Sequence, residues 1–315
     1  MKRITRHLLL CAAGALIASC ASQSSTLPAG MMPRASTSWV APQTSTDNLI
    51  YVSNADDEVT FYNYADGTLE GVLTGFQSPK GLCADKTGNV YVTDASAQTI
   101  VEYAHSATQA TKTLDDAPDS PYACSIDPKS GDLAVADNNG QSVEGDVAIW
   151  AHASGTPVRY TDSAIYAVTG CTYDAHGNLF ASGVPEGGYS AQFAWMPHGT
   201  SKFTNLFVPG PYSNRGWGAS GVGWDGRYFI IDDYSISRIL VTHGQAYYAG
   251  HVGLSASTPF AFYYQRGIAT AAIAGVDSRY GSSVDVWNYP AGGDPTLSIT
   301  HGLDEPFGVA LSLAK

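Results

Sequence analysis

The stretch Pro79-Lys-Gly-Leu-Cys-Ala-Asp85, Lys-Thr-Gly88-Asn89, Val90-Tyr-Val-Thr-Asp94 decides the fold. It reads as a short apolar strand, a glycine-containing hairpin and a second apolar strand. The phrase returns as Pro121-Tyr-Ala-Cys-Ser-Ile-Asp127, Gly131-Asp132 and Leu133-Ala-Val-Ala-Asp137. A further copy runs Gly170-Cys-Thr-Tyr-Asp174, Gly177-Asn178 and Leu179-Phe-Ala-Ser182, and another runs Gly221-Val-Gly-Trp-Asp225 and Tyr228-Phe-Ile-Ile-Asp232. A degenerate copy places its first strand at Pro259-Phe-Ala-Phe-Tyr-Tyr264 and its second at Ile268-Ala-Thr-Ala-Ala-Ile273.

Outward from each pair lies a third strand that ends at a turn. These are Val59–Tyr64, Thr99–Tyr103, Val147–Trp150, Phe193–Met196, Arg238–Val241 and Val284–Tyr289. A fourth strand, such as Val72-Leu-Thr74 or Leu297-Ser-Ile-Thr300, completes the unit. The repeat of roughly 45 residues is the size of a four-stranded propeller blade. Leu49-Ile-Tyr-Val-Ser53 is a second strand with no first strand before it, and Pro306–Ser312 is a first strand with no second after it. Pairing these two ends closes a ring and removes the free sheet edges there. The expectation is an all-β, six-bladed β-propeller over residues 48–315.

The run Pro-x-Gly-Leu-Cys-Ala-Asp followed by Gly-Asn-Val-Tyr-Val-Thr-Asp resembles the NHL-repeat family of propellers. The resemblance implies a fold rather than a task, since that family includes scaffolds, receptors and a few enzymes.

The N-terminus carries an address. Lys2, Arg3 and Arg6 precede the apolar run Leu8–Ile17, which is too short to span a bilayer. Ile17-Ala18-Ser19-Cys20 then resembles the lipobox of bacterial lipoproteins. The resemblance implies a signal peptide over residues 1–19, acylation of Cys20, and a lipid-anchored protein of the cell envelope, with the outer membrane favoured. Residues 20–47 are rich in Ser, Thr, Ala and Pro and read as a tether, to which Trp39 and Val40 could add local contacts with the body.

The chain carries 16 basic and 28 acidic residues, a formal charge of −12. Removing the three basic residues of the signal leaves −15 on the mature chain. That balance excludes a nucleic-acid partner, which needs a basic footprint. Only 14% of the residues are charged and 44% are hydrophobic, so the chain is not disordered by composition.

Chemistry is thin on the inner strands. His105, His152, His198 and His243 share one slot, the turn after the third strand, and read as turn residues. Asp85, Asp127, Asp174 and Asp225 end first strands as turn formers. Cys124 and Cys171 occupy equivalent positions while Cys83 is offset by one, and all three read as free, small packing residues rather than a Cys124–Cys171 bridge. No catalytic constellation, cofactor or metal set is expected. A lactonase-like hydrolase or a lyase with an axial metal stands as the alternative.

What remains is one face. The loops leading into first strands contribute Lys80, Tyr122, Tyr166, Trp217, Phe260 and Phe307, and the second-to-third loops contribute Asp94, Asp137, Asp232 and Asp233. Aromatic rings edged by carboxylates suit a protein, peptide or glycan ligand. The expectation is a membrane-tethered binding or scaffold module.

Overall fold

The computed structural model describes residues 37–41, 46–140, 143–209, 221–232, 235–255 and 283–315, together with the backbone strands Ala261–Gln265 and Ala272–Asp277. The described residues form an all-β protein. Alternating apolar positions make each strand two-faced, and glycine at positive φ turns the chain between strands, as at Gly88 (87°) and Gly177 (83°). In the second unit, Pro79–Ala84, Val90–Asp94, Thr99–Tyr103 and Ala110–Asp115 pair in order as an antiparallel meander. Among the described residues there are six such sheets, five four-stranded and one five-stranded.

The five-stranded sheet joins the two ends of the chain. Val309–Ser312 pairs antiparallel with Leu49–Ser53, with Leu49 opposite Ser312 and Val52 opposite Val309. On its outer edge the strand Trp39–Val40, from the segment read in the sequence as tether, pairs with Leu69–Leu73. The innermost strands, Val309–Ser312, Pro79–Ala84, Pro121–Ile126, Ala167–Tyr173, Val222–Trp224 and Ala261–Gln265, each touch the next, and the last touches the first.

The core consists of wedges between neighbouring sheets. In the second sheet Val90 and Val92 pack against the first, while Tyr91 faces the third. In the third sheet Leu133 and Val135 face back, and Ala134 and Ala136 face forward. In the fourth, Leu179 and Ala181 face back and Phe180 forward. A slip of one residue in any such strand would exchange its two faces, so the pattern fixes the register. Trp150 and Trp287 are fully buried in these wedges, each worth about 3 kcal/mol or more on truncation to alanine.

In the degenerate copy the strand Ala272–Asp277 pairs with Ala261–Gln265, overlapping the expected Ile268–Ile273 at its last two residues and running on to Asp277, while residues 268–271 lie outside the described residues. Its marker is the closing Asp277, which ends the strand as Asp94, Asp137 and Asp232 end theirs. One expectation is corrected here. Cys83 and Cys124 are not free but form a disulfide, with Cα atoms 5.6 Å apart. The one-residue offset is the reason: it turns Cys83 toward the third sheet while Cys124 turns back toward the second, so the two meet in one wedge. Cys171 points back in the same way as Cys124, donating toward the Ala134 carbonyl, and stays a buried free thiol.

The turn residues are built into the frame. Asp85 accepts from the Thr87 and Asn89 amides and the Asn89 side chain. Asp174 repeats the arrangement with His176 and Asn178. Ser312 donates to the Gly88 carbonyl and contacts His105 Nδ1 at 2.7 Å, so Nδ1 carries the proton and the C-terminal strand is tied to the second sheet. Among the described residues, no helix is long and apolar enough to cross a membrane.

Candidate functional site

The first, second and third sheets converge at one end of their innermost strands. Gly81 and Gly308 permit the convergence. A Cβ on Gly81 would stand 2.6 Å from the Ala123 Cα and from the Tyr122 carbonyl oxygen, and one on Gly308 would stand 2.4 Å from the Lys80 carbonyl oxygen. Ser53 clamps the junction, donating to the Lys80 carbonyl and accepting from the Gly308 amide.

The side chains beside these contacts gather on one surface. Phe307, fixed by its amide on the Ser53 carbonyl at 2.8 Å, meets Tyr122 edge to face with centroids 5.0 Å apart. Lys80 lays its ammonium 4.7 Å from the centroid of the Phe307 ring. Burial pushes the Tyr122 phenol up to about 12, so it stays a neutral hydrogen-bonding group. Burial also lowers the Lys80 ammonium from its ordinary range, against the pull of Asp57 and Asp94. Three expected residues from three sheets thus form one contiguous cluster.

Other expected residues do not join it. Tyr166 is half-buried and held by its backbone to Val184 and Gly145, with no ring contact to Tyr122 or Phe307 among the described residues. Asp94 lies inside the frame rather than on the surface. It is 2% exposed, and its oxygens accept from the Gln77, Ser78 and Ala97 amides, shaping the loop that leads to Lys80. Asp232 ends its strand half-buried with its amide on the Gly221 carbonyl. Trp217, Phe260, Asp233 and the lipobox residue Cys20 lie outside the described residues.

Asp137 is likewise inside the frame, in a feature the sequence reading missed. It is 0% exposed and lies under the Arg159 guanidinium, whose Nη1 reaches Asp119 at 2.7 Å, Asp137 at 3.0 Å and Asp146 at 3.3 Å. Nη2 reaches Asp116 at 2.7 Å. Four carboxylates around one cation cannot all be ionised in a dry site. Burial, reinforced by the Asp116 and Asp146 charges, holds the Asp137 carboxyl protonated well above the usual carboxylate range, and burial pushes Asp116 up to about 6. The carboxylates in turn raise the Arg159 guanidinium further, although its own desolvation works the other way. Asp119, Asp137 and Asp146 place oxygens within 4.8 Å of one another, as a metal would require, but Arg159 already supplies the cation there. The cluster ties the segment that follows the second sheet's outermost strand to the third sheet. A single arginine on the outer strand facing acids at both loops was the available signal.

Behind the cluster, the innermost strands line a cavity of about 500 Å³ that includes the disulfide, Tyr173 and Trp224 and extends to the hairpins at Asp85 and Asp127. Its walls are largely glycine, alanine and apolar residues, and the two hairpin aspartates are engaged in their own turns.

Residues 76–103 match the family model of the NHL repeat. A solved structure titled "Crystal structure of Nidogen/Laminin Complex" contains a chain with 14% identity and a TM-score of 0.66, covering 85% of this chain and 99% of that one. The fold is a β-propeller. With 1092 solved chains matching, the likeness speaks to architecture and not to a ligand. No curated protein matches the chain.

Proposed function

We propose that the chain is a binding module: a closed six-bladed propeller that holds a protein partner on the surface where Lys80, Tyr122 and Phe307 meet. The observation that carries the reading is the assembly of these side chains from three sheets around an edge-to-face aromatic pair. Aromatic and cationic anchors set in a rigid, half-buried frame are what interface hot spots are made of. The ring of six sheets with the chain ends paired supports the blade number. The similar fold in the nidogen/laminin structure, by its title a complex, supports use of such a surface for protein binding.

The lipobox reading adds a lipid anchor at Cys20 and a place in the bacterial envelope. The Cys83–Cys124 disulfide supports an oxidising compartment. A hydrolase or lyase reading gains no support, because the acidic cluster is engaged by Arg159 and the cavity walls present no free carboxylate pair among the described residues. Alanine at both Tyr122 and Phe307 should lower the thermal midpoint and, at temperatures where the full-length variant remains folded, abolish its capture of envelope proteins, and undiminished capture would defeat the reading. Serine at Cys20 should release the protein from the membrane fraction, and continued retention would defeat the anchor.

A further inference from the structure

Among the described residues, the cation of this surface has no carboxylate in ion-pair contact. Lys80 is half-buried, and none of the ion pairs among the described residues includes its ammonium. The two carboxylates whose charge reaches it are Asp57 and Asp94. Asp94 directs its oxygens to three backbone amides, and Asp57 acts on the ammonium without an ion pair to it among the described residues. The larger acidic group, Asp116, Asp119, Asp137 and Asp146, is gathered on the Arg159 guanidinium and makes no ion pair with Lys80. The surface therefore presents an ammonium that rests on a ring and has no carboxylate in ion-pair contact among the described residues.

We infer that Lys80 is a carboxylate-recognition residue, and that the partner of this surface presents an aspartate or glutamate side chain to it, with apolar atoms beside that residue packed on Phe307 and Tyr122. The inference rests on the binding reading above and names the chemistry of its partner. A desolvated ammonium without a close counter-charge is costly, and an incoming carboxylate relieves that cost at the moment of binding. The chain's formal charge of −12 repels acidic ligands at long range, so an acidic partner is selected by local fit at Lys80 and not by a general field.

The test is selection of short random peptides, displayed on phage, by the full-length protein. Peptides whose binding is lost in Phe307→Ala should carry an acidic residue at a recurrent position. Replacing that residue by its amide, or Lys80→Gln in the protein, should each weaken binding roughly tenfold or more, and the two together should cost little beyond either alone. Lys80→Arg should retain most of the affinity, which separates charge recognition from a packing role of the lysine stem. Phe307-dependent peptides without an acidic position, or a Lys80→Gln effect within about twofold, would overturn the inference and leave the surface reading standing. Selected peptides indifferent to both Tyr122→Ala and Phe307→Ala would refute the surface reading and this inference with it.

Discussion

The substitution Asp137→Asn should remove much of the protein's sensitivity to rising pH. In the native protein, Asp137 is 0% exposed, 3.0 Å from an Arg159 guanidinium that Asp116, Asp119 and Asp146 also contact. Desolvation and the neighbouring charges keep its carboxyl protonated far above the ordinary range. In the unfolded chain it ionises near ~3.9. Between those two values the native state holds a proton that the unfolded state has released, so stability is greatest below the unfolded value and falls as pH rises. One such proton corresponds to about 1.4 kcal/mol per pH unit, or about 3 kcal/mol between pH 5 and pH 7. Asp116, pushed up to about 6, adds in the same direction below that pH. The amide of the Asp137→Asn variant is neutral in both states and can still donate toward Asp116, so the variant's stability should be flatter. Thermal midpoints followed by the emission of buried Trp150 and Trp287 should agree within a few degrees near pH 5 and separate in favour of the variant by roughly 5–10 °C at pH 7. Parallel loss of stability in the two proteins would show instead that Asp137 is ionised in the fold.

Three further outcomes follow from the frame. Serine at both Cys83 and Cys124 removes a cross-link spanning a sequence separation of 41 and should cost about 4 kcal/mol, read from denaturant midpoints. Gly81→Ala places a methyl 2.6 Å from the Ala123 backbone and should cost about 2–3 kcal/mol, with loss of partner capture because Tyr122 must move with that backbone. Ser312→Ala strands the Gly88 carbonyl and His105 Nδ1 and should cost about 1–3 kcal/mol, with hydrogen exchange rising first in the C-terminal strand.

The fold was legible because its signal is local and repeated. A strand, a glycine hairpin and a second strand, often closed by an aspartate, recur at comparable spacing, and Leu49–Ser53 and Val309–Ser312 each lack the partner that the other supplies. The end of the second strand at Asp277 was missed because the degenerate copy loses the glycine–asparagine turn, leaving only the terminal aspartate as a guide. The disulfide was hidden for a geometric reason. Residues offset by one point to opposite faces of their own sheets, and in a ring of sheets those are the faces that meet.

The site was partly legible. Slot equivalence found Lys80, Tyr122 and Phe307, because equivalent positions at the head of neighbouring inner strands must converge. It could not tell an exposed carboxylate from a buried one. Asp94 and Asp137 share a slot, yet one caps a loop through backbone amides and the other sits under Arg159. That distinction depends on which side chains arrive from other sheets, and pattern within one repeat does not carry it.

Binding at the aromatic surface is tested most directly by replacing Tyr122 with a photoreactive phenylalanine analogue in living cells and identifying what it cross-links. A protein adduct from position 122 that Lys80→Gln diminishes is expected, with none from the same analogue at Tyr247 on an outer strand. Adducts from position 247 with none from position 122 would place the partner elsewhere on the ring and overturn the binding reading.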